Sequence, residues 1–255
     1  MSESVLILIW PLISQAFASL VVMSTKPSPV IELGASESLG LSLFYVTAVF
    51  LMAVLIVYLI KKGKELVMKA IISLFLVYSA FLSLDTLISY SMEVHWSLEL
   101  ALALLIAWLS FREDEVGNLA KSLLAASMAY LFISFFNDIF IYFLLTLLAV
   151  YDTYSVFRGP LSELFSISRS DPLKALTVFQ GEVGMGLGDV FCYSMASATS
   201  FRSLKYPLSL LPIALLNLGI LITIYMLKVK RRALPGLTIP IFLWLISQIT
   251  LLNLP

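Results

Sequence analysis

Two aspartates stand inside stretches that are otherwise apolar enough to cross a bilayer. Asp152 lies in the segment FIYFLLTLLAVYDTYSVF, and Asp189 lies in the segment VGMGLGDVFCYSMA. A charged side chain in the middle of a membrane helix costs about 2.5–3.5 kcal/mol on insertion scales, and such residues usually mark a functional site. Since the two segments follow each other along the chain, the sequence predicts a pair of acids facing each other between two helices.

A pair of facing carboxylates can catalyse hydrolysis. Held close together, the two groups cannot both ionise at low cost, so they share a proton. One acid then acts as a base toward water while the other donates to a carbonyl oxygen, which is general acid–base hydrolysis of a peptide bond. This chemistry requires no metal, no cofactor and no covalent nucleophile. The roles of Asp152 and Asp189 stay open, because such a pair titrates as a unit.

The depths of the two acids in the membrane are predicted to match. Asp152 lies six residues before Arg158, and Asp189 lies seven residues after Glu182. At about 1.5 Å per helical residue, both carboxylates lie roughly 9–10 Å from the same membrane boundary. Consecutive membrane helices run antiparallel, so equal depth allows the two acids to meet.

Glycine recurs at every second position before the second acid, at Gly184, Gly186 and Gly188. Gly184 and Gly188 have the G-x-x-x-G spacing that lets two membrane helices approach closely. Glycine also weakens a helix by about 0.5–1 kcal/mol relative to alanine. The pattern predicts a closely packed but loose helical segment beside Asp189, against which a substrate strand could lie.

The composition indicates an all-α polytopic protein of the cell membrane. Of the 255 residues, 60% are hydrophobic and only 13% are charged, and the mean hydropathy is +1.01. Soluble domains carry about 25% charged residues, so an ordinary water-exposed surface is excluded. The formal net charge of zero indicates no nucleic-acid partner. The single cysteine, Cys192, cannot form an internal disulfide.

Apolar segments of about 17–25 residues lie between short clusters of charge, as membrane-spanning helices require. We predict nine transmembrane helices in one integral-membrane domain over residues 1–255, and a cytoplasmic loop over 158–182 between the two acid-bearing spans. The predicted spans are 4–23, 39–60, 67–89, 94–110, 119–136, 139–157, 183–201, 207–227 and 234–253.

The basic residues predict the orientation of the chain. With the N-terminus inside the cell, thirteen of the sixteen Lys and Arg residues fall in inward-facing loops, as the positive-inside rule requires. The outward side keeps Lys26, Arg202 and Lys205. We therefore predict a cytoplasmic N-terminus and an extracytoplasmic C-terminus.

Three short motifs resemble those of one protease family. Tyr151-Asp152 on one span and Gly186-Leu187-Gly188-Asp189 on the next are similar to the YD and GxGD motifs of intramembrane aspartyl proteases, the presenilin and signal peptide peptidase family with its archaeal homologues. Pro235-Gly236-Leu237, before the last span, resembles the family's Pro-Ala-Leu motif with Gly236 in place of alanine. We expect this departure to be small, since both residues leave the backbone open to a partner. The nine-helix plan is also similar.

The resemblance implies an enzyme in the lipid bilayer that hydrolyses peptide bonds within the transmembrane segments of other proteins. It implies that Asp152 and Asp189 are the catalytic pair. The neighbouring residues that it implies for substrate binding are Tyr151, Gly186, Leu187, Gly188, Pro235, Gly236 and Leu237. The orientation resembles the presenilin branch, which implies substrates whose N-terminus lies outside. The 158–182 loop lacks the long apolar insert that presenilin cuts in itself, so we expect a single uncut chain.

A substrate helix must unwind before its peptide bond can be attacked. Its freed N–H and C=O groups then need partners inside the protein, and pairing with an edge strand supplies them. The candidate edges are the 158–182 loop and the backbone around Pro235.

Two other functions fit parts of the pattern. Prepilin-type peptidases share a GxGD acid, but their other aspartate lies much nearer the N-terminus and they have no counterpart of Pro235-Gly236-Leu237. A proton-coupled transporter or an ion leak would relay protons through two buried acids. Such proteins usually contain inverted repeats or broken helices in matching halves, and the sequence shows neither.

Overall fold

The computed structural model describes residues 6–88, 95–158, 171–181, 183–230 and 234–253. Within these ranges nine helices have at least 15 residues, and a short helix and two strands lie between the sixth and seventh of them. In chain order the elements are α1 Ile9–Thr25, α2 Ala35–Lys61, α3 Glu65–Ile88, α4 Trp96–Ser110, α5 Glu115–Phe135, α6 Asp138–Arg158, α7 Asp171–Lys174, β1 Thr177–Gln180, β2 Val183–Gly186, α8 Leu187–Ser203, α9 Leu210–Lys230 and α10 Thr238–Leu252.

Each predicted span overlaps one of the nine longer helices. In the described part of the chain, five helices (α2, α3, α5, α6 and α9) are long and apolar enough to cross a membrane, while α1, α4 and α10 are apolar but shorter. The count of nine crossings and the orientation therefore stay predictions. Three parts of the predicted plan lie outside the described residues: the first two residues of the span 4–23, residues 89–94 between the third and fourth spans, and most of the 158–182 loop.

The all-α fold class is confirmed, with one local exception among the described residues, immediately before α8. Residues 183–186, which are predicted to begin the helical span 183–201, instead form strand β2. This strand runs antiparallel to β1, with Phe179 opposite Gly184 and Thr177 opposite Gly186. The reason lies in the residue types: Thr, Val and Phe favour strands, and glycine at alternate positions weakens a helix. Helix α8 therefore begins only at Leu187.

Helix α8 lies at the centre of the bundle, packed mainly against α1 and α5. Small residues line part of its contact faces: Ala196 of α8 and Ala125 and Ala129 of α5 are fully buried. Ser14 of α1 hydrogen-bonds to Ser194 of α8 at 2.6 Å. Close approach of backbones and interhelical hydrogen bonds are what holds membrane helices together. The beginning of α8 is therefore carried on a firmly packed helix.

Helices α2 and α3 lie at the periphery. Few of their residues are buried, and large apolar side chains such as Phe44, Leu51 and Leu74 are exposed. Helix α2 packs against α6, and α3 against α4 and α5. Outward faces of this kind suit contact with lipid chains, which are as apolar as the side chains themselves.

Candidate active site

Asp152 lies near the end of α6, with 9% of its surface exposed. Its Oδ2 accepts a hydrogen bond from the backbone N–H of Leu237 at 2.8 Å. Leu237 immediately precedes α10. The bond therefore fixes the first acid against the segment that leads into the last helix.

Asp189 is the third residue of α8, where the positive end of the helix dipole favours an acidic side chain. The backbone of Gly236 approaches it so closely that a Cβ added to Gly236 would lie 2.7 Å from Oδ2 and 2.9 Å from Cγ of Asp189. Since Asp152 contacts Leu237 and Asp189 contacts Gly236, the two carboxylates flank the same two residues. The structure brings the two acids together, as the sequence indicates.

The helix on which the predicted depth depends is present for one acid and not for the other. Asp152 stands six residues before Arg158, the last residue of α6. The estimate for Asp189 assumes helix from Glu182 onward, but residues 183–186 are extended, and a strand rises about 3.3 Å per residue. Asp189 therefore reaches its position through a strand followed by the first turn of a helix.

The segment Pro235-Gly236-Leu237 is not helical. Leu237 is buried, whereas Pro235 and Gly236 are partly exposed. A methyl group at position 236 would require the Asp189 carboxylate to shift. The expectation that glycine in place of alanine makes little difference stays a prediction.

Two hydroxyl contacts that the sequence reasoning missed hold this segment in place. Tyr193, which is 1% exposed, donates a hydrogen bond to the Gly236 carbonyl at 2.7 Å. It lies four residues after Asp189, so both face the same side of α8, and that spacing was a usable signal. Thr153 Oγ1 lies 2.6 Å from Thr238 Oγ1 and joins α6 to α10. Nothing in the sequence marks this second pair.

A third missed contact, at Gly219, sets the position of α10. A Cβ added to Gly219 would lie 2.5 Å from Cα and 2.9 Å from N of Pro240. Pro240 is the third residue of α10, in the first turn, where the missing N–H of proline removes no helical hydrogen bond. The backbones of α9 and α10 therefore touch directly beside the segment that carries Gly236. A single glycine in an apolar span gives no sign of this contact.

The glycines at alternate positions do not form the predicted helical pair. Gly184 lies in β2 and Gly186 precedes α8, so the G-x-x-x-G contact of Gly184 with Gly188 is wrong. Gly188 is exposed, and a Cβ added to it would meet nothing within 4 Å. Leu187 is buried, and its N–H donates to the Leu176 carbonyl at 2.8 Å. This bond joins the hairpin to α8.

Tyr151 lies on the side of α6 that faces α2. Its ring packs edge-on against Phe50, with the ring centroids 6.3 Å apart, and its hydroxyl accepts a hydrogen bond from Ser155 at 3.4 Å. These contacts give it a packing role. Its part in substrate binding stays a prediction.

A cavity of about 70 Å³ borders the second acid. Asp189, Tyr193 and Thr223 provide its polar side chains, and Gly184 and Gly236 also line it. A space of only about 10–15 Å³ of this kind holds one water molecule. The cavity therefore has room for water beside the carboxylate and next to β2.

The chain is similar to proteins of one family. The family model described as signal-peptide peptidase, presenilin aspartyl protease matches residues 7–169. The structure of a presenilin family intramembrane aspartate protease in a C222 crystal aligns with a TM-score of 0.66 and 18% identity, over 96% of this chain and 97% of that one. Another, in a P2 crystal, aligns with a TM-score of 0.65 and 20% identity, over 96% of each chain. No curated protein matches the chain.

Proposed function

Since the chain belongs to the signal-peptide peptidase and presenilin family of aspartyl proteases, and is therefore an intramembrane aspartic endopeptidase, we propose that Asp152 and Asp189 are its catalytic dyad. The observation that carries this proposal is their common approach to one piece of backbone. Asp152 accepts from the Leu237 N–H, and Asp189 lies against Gly236. Two acids from different helices thus meet at a non-helical segment beside a cavity.

The dyad holds one proton between its two carboxylates. The ionised carboxylate takes a proton from water as the water oxygen attacks the carbonyl carbon, and the protonated acid donates to the carbonyl oxygen. The C–N bond then breaks as the nitrogen takes the proton that came from water, while the former carbonyl oxygen returns its proton to the dyad. One water is consumed, a carboxyl and an amine form, and the dyad regains its single proton. Either aspartate can begin in either role.

The substrate segment binds in extended form along β2. An unwound transmembrane segment needs partners for its N–H and C=O groups, and the edge of a strand provides them. β2 ends at Gly186, three residues before Asp189, so a strand added to β2 would lead past the dyad. β2 follows the 158–182 loop, so this proposal replaces both edges expected from the sequence, the 158–182 loop and the backbone around Pro235.

The predicted substrate-binding residues divide into two groups. Those that are at least partly exposed are Tyr151, Gly186, Gly188, Pro235 and Gly236, and we assign the last four of them the surface of the cleft. Leu187 and Leu237 are buried, so their side chains support the cleft from behind. The N–H of Leu237 is already engaged by Asp152.

The topology that fits this chemistry has nine crossings in the cell membrane, a cytoplasmic N-terminus and an extracytoplasmic C-terminus. Support comes from where the basic side chains lie. Lys174 pairs with Glu113 at 2.7 Å beside the hairpin, while Arg202 pairs with Asp138 at the opposite end of α6. The substrates are transmembrane segments whose N-terminus lies outside, and the enzyme acts as a single uncut chain.

The test is cleavage of a single-span substrate in detergent by the wild type, Asp152→Asn and Asp189→Asn. Asp138→Asn is the matched control, because it changes an acid at the other end of α6. Each dyad variant is expected to lose about 10²–10⁴-fold in rate, which is the usual contribution of general acid–base catalysis by one group. The control should keep its rate per folded molecule. Cleavage that survives either dyad change, or proton flux into vesicles without any cleavage, would overturn the proposal.

A further inference from the structure

The hairpin of β1 and β2 has two edges with different surroundings. In an antiparallel pair, opposite residues alternate between those that bond to each other and those whose N–H and C=O groups point outward. The N–H and C=O of Phe179 bond to a side chain outside the hairpin, so the groups of the pair Phe179–Gly184 point outward. The pair Thr177–Gly186 lies two residues further along, so its groups point outward as well. The outward groups of β1 are therefore those of Thr177 and Phe179, and those of β2 include Gly184.

The outer edge of β1 is already occupied by α5. Asn118 Nδ2 donates to the Phe179 carbonyl at 2.6 Å, and its Oδ1 accepts from the Phe179 N–H at 3.2 Å. One side-chain amide thus offers Phe179 the donor and the acceptor that a neighbouring strand would offer. Lys121 Nζ donates to the Thr177 carbonyl at 2.8 Å, which takes the next outward group of the same strand.

Lys121 depends on the hairpin as much as the hairpin depends on Lys121. Its side chain is fully buried, and a buried ammonium is costly unless its N–H groups are bonded. Its partners are the carbonyls of Thr177 at 2.8 Å and Arg112 at 3.2 Å, and the Phe179 ring centroid lies 6.0 Å away. Release of β1 would leave the charge with one of its two carbonyl partners.

The outer edge of β2 differs. Gly184 is exposed, and among the described residues no group outside the hairpin bonds to its N–H or C=O. Glycine also leaves no side chain to obstruct a second strand. The hairpin therefore has one closed edge, on β1, and one edge, on β2, that is open at Gly184.

From this asymmetry we propose that Asn118 and Lys121 are positioning residues, a clamp that closes β1 and directs the incoming substrate strand to β2 alone. The inference rests on the proposed function and adds to it the residues that fix where the substrate strand lies. The clamp holds the hairpin in place before substrate arrives, so binding does not have to order it, and preorganisation of this kind raises affinity. It also gives the scissile bond one register relative to Asp152 and Asp189.

The test replaces Asn118 with Leu, which keeps the branched shape of the side chain and removes both hydrogen bonds. Gln15→Leu is the matched control: Gln15 is as buried as Asn118 and makes two amide hydrogen bonds with Asn217, each 3.1 Å, away from the hairpin. Asn118→Leu is expected to raise KM about tenfold with little change in kcat, and to add cleavage products shifted along the substrate, read by mass spectrometry. Gln15→Leu should change neither.

Hydrogen exchange tests the clamp without catalysis. In the inactive Asp152→Asn background, a bound single-span substrate should slow amide exchange in 183–186 and leave 177–180 unchanged. Adding Asn118→Leu should speed exchange in 177–180 before substrate is added. Should Asn118→Leu fail to fold, Asn118→Ser, which is too short to hold both groups of Phe179, makes the same measurement.

The outcomes separate the two proposals. The clamp would be overturned, and the dyad would stand, if Asn118→Leu matched the Gln15→Leu control in KM, in cleavage pattern and in hydrogen exchange. Cleavage that persists in Asp152→Asn would overturn the dyad, and the exchange measurement would still decide whether α5 holds β1.

Discussion

The two ends of α6 carry the same residue type in opposite surroundings. Asp138, the first residue of the helix, accepts hydrogen bonds from Arg202 Nε at 2.7 Å and from Ser203 at 2.8 Å. Asp152, near the other end, accepts one from a backbone N–H. Within the described ranges, no cationic side chain pairs with Asp152 or with Asp189.

The difference shows what each acid contributes. Asp138 bonds to a guanidinium and a hydroxyl that both belong to α8, so it fastens α6 to α8. A buried carboxylate without a cation destabilises the fold and is free to exchange protons. Stability is thus concentrated at the Asp138 end of the bundle and chemistry at the dyad end, as expected for a site that breaks local rules for function.

The largest expected effect on stability comes from neutralising Asp138, compared with neutralising Asp152. Asp138→Asn removes the charge that Arg202 needs, and Arg202 is mostly buried. We expect the free energy of unfolding to fall by about 2–3 kcal/mol, the usual size for a lost hydrogen bond to a charged group. Asp152→Asn should leave it unchanged or raise it, because a costly buried carboxylate becomes a neutral amide. Denaturation in mild detergent, followed by circular dichroism, measures both.

Equal losses of stability in the two variants would contradict this distinction, because Asp152 would then be stabilised by its contacts as much as Asp138 is. The wild type is the reference for this measurement, and Asn217→Leu is its uncharged control. Asn217 makes interhelical amide bonds and carries no charge, so its replacement shows what an uncharged polar contact contributes in the same bundle.

A smaller effect is expected where α10 rests on α9. Gly219→Ala would drive a methyl group to 2.5 Å from the Pro240 Cα, and backbone atoms cannot rotate away. Overpacking of this kind costs about 1–3 kcal/mol; we expect about 2 kcal/mol and a clear loss of activity, because the start of α10 carries the segment that touches both acids. The unfolding midpoint and the cleavage rate of the folded fraction measure the two effects separately.

Gly40→Ala is the control for this change. Gly40 lies in α2, and a Cβ added there meets nothing within 4 Å. Alanine in place of a helical glycine usually stabilises by about 0.4–1 kcal/mol. Activity retained in Gly219→Ala would show that the dyad does not depend on the contact between α9 and α10.

The features that could be predicted from sequence are those in which one residue or one run carries the signal alone. Helix positions follow from apolar runs between charges, and Asp152 and Asp189 are conspicuous because charge is costly in such runs. The hairpin was missed because residues 183–186 form a short apolar segment that periodicity cannot assign to helix or strand. Gly219 and the clamp at Asn118 depend on which element packs opposite them, and a single sequence does not contain that information.

The smallest of the expected effects concerns Tyr193, which donates a hydrogen bond to the backbone of Gly236, the residue that lies against Asp189. Tyr193→Phe keeps the buried ring and removes the hydrogen bond to the Gly236 carbonyl. A neutral hydrogen bond contributes about 0.5–1.5 kcal/mol, so we expect cleavage to slow about fivefold while KM changes less. Tyr225→Phe, on an exposed side chain of α9, is the control and should change neither. If Tyr193→Phe lowered stability but left kcat untouched, the position of Gly236 would not depend on this hydrogen bond, and the hydroxyl would contribute to stability alone. A loss confined to kcat would show instead that the position of Gly236 against Asp189 limits the reaction.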